Sequence, residues 1–156
     1  MQKITTFLWF NNQAEEAANY YVSIFKNSKI LGMSHYGDGA PRPKGSVLVV
    51  DFQLDGQRFM ALNGGPTFKF TEAISLMVSC DTQQEIDEMW EKLSAGGEKS
   101  QCGWLKDKYG LSWQVVPSIL SKLLENDPEK ANRVMKEVMQ MNKLDIARMQ
   151  KAYDRD

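Results

Sequence analysis

Along ITTFLWF, residues 4–10, side chains of an extended chain divide into Thr5, Phe7 and Trp9 on one face and Thr6, Leu8 and Phe10 on the other. The run is rich in β-branched and aromatic residues, which predicts a strand. From Asn12 the period changes. Ala14, Ala17, Ala18, Tyr21, Ile24 and Phe25 recur at helical spacing, with Asn12 and Glu15 placed as a capping box. The small alanines let such a helix lie close against a sheet. KNSKILGMSHYG predicts a turn and a strand, and GDGAPRPKG a loop. SVLVVDFQL and QRFMALN read as strands joined by Asp55-Gly56, a strong hairpin pair. The order of the first half is β, α, β, β, β.

That order then begins again. LNGGPTFKF, residues 62–70, turns the chain out of the first module, with Phe68 and Phe70 expected to bury against the sheet and Asn63 within reach of a ligand. EAISLMVSC reads as a strand, and Thr82 with Glu85 repeats the capping-box spacing. Ile86, Met89, Trp90 and Leu93 share one helical face before Gly96 and Gly97 end the helix. EKSQCGWLKDKYGLSWQVV supplies two or more strands, with a turn around Lys108 to Gly110. The remainder is helical. Pro117 is expected to open a helix through ILSKLLEN, Asp127-Pro128 to cap the next, and Asn142 to Asp145 to box a last one over IARMQKAY. The chain is thus α+β: modules over residues 1–70 and 71–117, and a helical extension over 118–156, within one domain.

Charge narrows the partners. With 19 Lys and Arg against 20 Asp and Glu, the net charge is -1, and no global positive field gathers nucleic acid or anionic lipid. The apolar N-terminal run is too short to span a membrane. Cys80 and Cys102 are the two cysteines and lack Cys-x-x-Cys spacing, which points to free thiols and a cytoplasmic location.

Several chemistries lack their residues. Gly37-Asp38-Gly39 has no third glycine and no following helix, so it fails as a dinucleotide or S-adenosylmethionine fingerprint. There is no Walker sequence and no G-x-S-x-G elbow. His35 is the single histidine, and a transition-metal centre would need several imidazoles, thiolates or carboxylates. Most acids lie on helix faces, where solvation explains them. What stands out is the surplus of aromatics on strands: Phe7, Trp9, Phe52, Phe59, Phe68, Phe70, Trp104, Tyr109 and Trp113. They form either a compact core or an apolar pocket with a few directional contacts. Alternation alone does not say which face is inward when both are apolar.

At FLWFNNQAEEAANYY, LNGGPTFKFTEAISLMVSC, CGWLKDKYGLSWQVVP and RVMKEVMQMNKLDIARMQKAY the chain resembles the PhnB-like branch of the glyoxalase/bleomycin resistance/dihydroxybiphenyl dioxygenase fold, in the vicinal oxygen chelate superfamily. Proteins of this branch often carry the label 3-demethylubiquinone-9 3-methyltransferase. The resemblance implies paired βαβββ modules forming a curved mixed sheet around a cleft, and a homodimer. Metalloenzymes of the superfamily hold a divalent ion with residues from the first and last strands of each module. Carried over, those positions fall near Thr5, within Ala61 to Asn63, at Ser75 and at Gln114, and none is His, Asp or Glu. The expectation is therefore metal-independent binding of a small aromatic or apolar organic molecule, without a cofactor, nucleic acid or membrane partner. Trp9, Asn63, Ser75, Trp113 and Gln114 are the expected ligand contacts. The alternative is a cofactor-light transferase, lyase or isomerase, including the labelled methyltransferase, using Cys102, Asp107 or Tyr109.

Overall fold

The computed structural model describes residues 2–155, which divide into two units, one ending at Phe70 and the other starting at Thr71. The first unit runs β1 (Thr6–Phe10), α1 (Ala14–Ile24), β2 (Lys29–His35), β3 (Val47–Leu54) and β4 (Gln57–Asn63). Its sheet has the order β1-β4-β3-β2, with β1 parallel to β4 and the other pairs antiparallel. Asp55 and Gly56 both have positive φ, 49° and 79°, as a two-residue hairpin turn requires. Leu8, Phe10, Val50, Phe52, Phe59 and Ala61 point to α1 and are buried. The alanines of α1 permit the close approach: Ala14, Ala17 and Ala18 are buried, and Tyr21 stacks at 6.5 Å from Phe52. Each large apolar side chain buried in this layer contributes about 1.5–3 kcal/mol.

Two local expectations fail in this unit. Asn12 does not cap α1: the helix follows Gln13, whose side chain makes no capping bond. The first helical N–H, that of Ala14, instead donates to Asn63 Oδ1 at 2.8 Å, a partner 49 residues away. Phe68 does not bury against the sheet. It is 62% exposed, and its ring meets the Trp9 ring edge-on at 4.9 Å, while Phe70 packs edge-on against Phe10 at 5.2 Å. The two glycines of this stretch continue the parallel ladder beyond the strands, Gly64 N–H donating to Phe10 O and Gly65 N–H to Asn11 O.

The second unit repeats the plan. β5 (Ser75–Cys80), α2 (Gln83–Ser94), β6 (Glu98–Lys99), β7 (Trp104–Lys106) and β8 (Ser112–Pro117) form a sheet of order β5-β8-β7-β6. Its first strand again lies parallel to its last. The paired βαβββ modules expected from periodicity are present. Thr82 Oγ1 accepts from Glu85 N–H at 3.1 Å, while the Glu85 carboxylate accepts from Asp81 N–H at 3.3 Å. Ile86, Trp90 and Leu93 of α2 bury against Leu105, Trp113 and Val115.

The C-terminal helices are α3 (Leu120–Glu125), α4 (Pro128–Val138) and α5 (Ile146–Asp154). Pro117 ends β8 rather than opening α3, because its strand pairing with Cys80 continues to that residue. Asp127 caps α4 as expected, accepting from the N–H groups of Glu129 and Lys130. α5 is capped by Asp145 itself, which accepts from Arg148 N–H, and Asn142 has no part in that cap. Leu123, Val134, Val138, Met141, Leu144, Met149 and Ala152 form the core of this layer, with Cys102 and Val116 packed against it. No helix among the described residues is long and apolar enough to cross a membrane.

Candidate functional site

Strand register sorts the side chains of the second unit. Trp113 and Val115 point toward α2 and are buried, so Ser112 and Gln114 take the opposite face. Ser75 pairs with Ser112 and Met77 with Gln114 across β5 and β8, while Trp104 pairs with Gln114 and Lys106 with Ser112 across β7 and β8. These residues share one open face, on which Met77 is 63% exposed. Gln114 Nε2 donates to Ser75 Oγ at 3.0 Å.

A cavity of about 410 Å³ lies in this unit, bordered by Glu72, Glu98, Gln101, Trp104, Lys106 and Ser112. Its volume falls in the range of small-molecule sites, about 300–1,000 Å³. Lys106 Nζ meets the Glu72 carboxylate at 2.8 Å. The hydrogen bond to Lys106 holds the Glu72 carboxyl below its ordinary range, and the same bond raises the Lys106 ammonium above its own. Both side chains are solvated, so the pair orients the rim and adds little stability. Ser112 is different. It is fully buried, and its hydroxyl has no hydrogen-bond partner among the described residues. A buried hydroxyl without a partner is costly.

Of the five expected ligand contacts, Ser75 and Gln114 are brought together on the open face. Two are placed otherwise. Asn63 points toward α1, where its Oδ1 accepts from Ala14 N–H and its Nδ2 donates to Val47 O at 3.0 Å. Trp113 is 2% exposed and donates from Nε1 to Asp107 Oδ2 at 2.9 Å. Trp9 lies on the face of its sheet away from α1, but its Nε1 is spent on Gly65 O at 3.0 Å. Sequence reasoning does not single out Ser112 and Lys106, and it names Trp104 only within the aromatic surplus. The signal is the pairing of WLK with SWQ, legible only once the hairpin register is known.

The residues named for catalysis have structural surroundings. Asp107 is 2% exposed, and its Oδ1 accepts from Tyr109 N–H and Leu111 N–H at 2.9 and 3.1 Å. Cys102 sits in a tight loop with φ 59°. Cys80 is buried, and desolvation followed by the nearby Glu85 pushes its thiol up to about 12, which leaves it unreactive. His35 ends β2 as an exposed side chain.

The divalent ion of the superfamily's metalloenzymes does not fit these residues. Ser75 and Gln114 are neutral donors bonded to each other, Ala61 offers no side-chain donor, and the Asn63 amide is committed inside its layer. Among the described residues no group of three or more His, Cys, Asp or Glu is placed to hold a metal ion.

Residues 2–116 match the family described as 3-demethylubiquinone-9 3-methyltransferase. A PhnB protein from Bacillus cereus, named as a candidate 3-demethylubiquinone-9 3-methyltransferase, is 42% identical over 74% of this chain and 99% of its own, with a TM-score of 0.69. A protein from Pseudomonas aeruginosa is 20% identical over 75% of this chain and 98% of its own, with a TM-score of 0.62. A glyoxylase/bleomycin resistance protein/dioxygenase domain from Frankia is 16% identical over 75% of this chain and 92% of its own, with a TM-score of 0.50. The last two likenesses concern the fold alone. No curated relative matches the chain.

Proposed function

The chain belongs to the 3-demethylubiquinone-9 3-methyltransferase family, and from that premise we propose that the cavity of the second unit binds a small organic molecule without a metal ion. The supporting observation is the cavity bordered by the half-buried Trp104 and the Lys106–Glu72 pair. An aromatic or apolar body lies against the Trp104 ring, and a polar edge engages the Lys106–Glu72 pair. The hydrogen-bonded Ser75 and Gln114 extend the polar part of the same face.

The family's description also implies S-adenosylmethionine, and the residues do not fit it. The turns from strand to helix, Asn11-Asn12-Gln13, Asp81-Thr82 and Ser118-Ile119, contain no glycine to open the backbone to a nucleoside cofactor. Binding is therefore the favoured reading over methyl transfer.

Titration with 8-anilinonaphthalene-1-sulfonate tests the site, since its rings match Trp104 and its sulfonate matches Lys106. Trp104→Ala is expected to raise the Kd about tenfold. An unchanged Kd would place the probe elsewhere and overturn the reading.

Both cysteines are free, and the reading assigns the protein to the reducing cytoplasm. It also assigns a homodimer, supported by Phe7, which is 53% exposed on the face of the first sheet away from α1. Sedimentation is expected to give twice the chain mass of 17.8 kDa, and Phe7→Glu the single mass. A monomeric wild type would sink that assignment.

A further inference from the structure

We infer that the C-terminal helices are a positioning element for the cavity of the second unit: the carbonyls of Met141 and Asn142 hold the loop of residues 100–104, and through it Trp104, in the arrangement that receives a ligand. The inference rests on the ligand-binding reading of that cavity.

The loop is built around two consecutive residues of positive φ, Cys102 at 59° and Gly103 at 83°. A non-glycine residue rarely adopts this conformation unless its surroundings impose it. The surroundings of Cys102 are the C-terminal segment. Cys102 N–H donates to Met141 O and Gly103 N–H to Asn142 O, each at 2.8 Å, in the connection between α4 and α5. The other side of the same loop borders the cavity with Ser100 and Gln101. It leads directly into Trp104, closed by Ser100 N–H to Trp104 O at 2.9 Å and Trp104 N–H to Gln101 O at 3.0 Å. One short loop thus has its cavity-facing residues and its helix-facing amides fixed by a single backbone conformation.

The C-terminal segment is in turn pinned to α2, away from the cavity. Gln83 Nε2 donates to Leu144 O at 3.0 Å, and Gln83 Oε1 accepts from Ile146 N–H at 2.8 Å. Lys143 Nζ meets Asp87 at 2.9 Å. Leu144 is 1% exposed and packs directly over Gly103, where an added Cβ would come within 3.2 Å of it. Undocking this segment would leave two amides without partners and release the constraint on Cys102. Trp104 would then lose its fixed approach to the cavity. Residues 117–156 lie beyond the family match.

The test uses the full chain and the same naphthalene sulfonate probe. Gln83→Ala combined with Lys143→Ala removes the pins and alters no cavity residue. Hydrogen exchange at the Cys102 and Gly103 amides is expected to accelerate, and the probe's Kd to rise about fivefold. By reciprocity, saturating probe is expected to slow exchange at those two amides in the wild type by the same factor. Faster exchange with an unchanged Kd would overturn the inference while leaving the cavity reading intact. Insensitivity of the Kd to Trp104→Ala would instead overturn the cavity reading. Should the double variant fail to fold, the wild-type experiment decides: slower exchange supports the coupling, and unchanged exchange ends it.

Discussion

Asp107→Ala is expected to lower stability by about 4 kcal/mol, because three N–H donors lose their shared acceptor and each buried orphan costs about 1–3 kcal/mol. The donors are Tyr109 N–H and Leu111 N–H at Oδ1 and the Trp113 indole at Oδ2. Two of these bonds are buried, and the carboxylate ties the turn after β7 to the core tryptophan of β8. Asp107→Asn keeps Oδ1 for the two backbone amides but turns an NH2 group toward the indole N–H. Its expected cost is smaller, about 2 kcal/mol. Urea unfolding measures both. A catalytic Asp107 would lose turnover at unchanged stability, so an alanine variant within about 1 kcal/mol of wild type would refute the structural role of this carboxylate.

Gly64→Ala is expected to be nearly as damaging, at about 3 kcal/mol. A Cβ at Gly64 would fall inside the Trp9 indole, against Cε2 and Cζ2 of the ring. The ring has little freedom to yield. Its N–H is bonded to Gly65 O, and its flank carries Phe68. The backbone cannot retreat either, since Gly64 N–H is bonded to Phe10 O at 2.8 Å. Combining Gly64→Ala with Trp9→Ala removes the obstacle, and the double variant is expected to lose about 1–2 kcal/mol less than the sum of the singles. Strict additivity in thermal or urea unfolding would show that the clash is relieved some other way.

These two positions show how unevenly the chain discloses itself. LNGGPTFKF has the look of a turn with a ligand contact at Asn63. The glycines do carry the chain out of the first unit, but Gly64 is needed for its empty space beneath Trp9, and Asn63 closes the first turn of α1 from below. Asn12 offers a cap on sequence spacing and loses to that distant amide. Several local signals hold in the structure, as with Thr82 and Glu85, Asp55-Gly56, and Asp127-Pro128, while the equally local boxes at Asn12 and Asn142 do not form. Pro117 departs from its expected place because a proline can end a strand as readily as it opens a helix, and β8 pairing with β5 decides between them.

The amino-acid order alone determined the two β-α-β-β-β modules, the amphipathic helices, and the scarcity of residues able to hold a transition metal, because periodicity, capping and donor chemistry are local or compositional. The tertiary structure decided which faces are open and which residues meet there. β1 is apolar on both faces, so only the seating of α1 over Leu8 and Phe10 leaves Phe7 and Trp9 on the other side. Likewise Ser75 reaches Gln114 across 39 residues, and Ser112 comes to border a cavity with Trp104, through strand registers that no single segment encodes. Long-range pairing depends on the simultaneous fit of helices and strands, and that fit exists only in the folded chain.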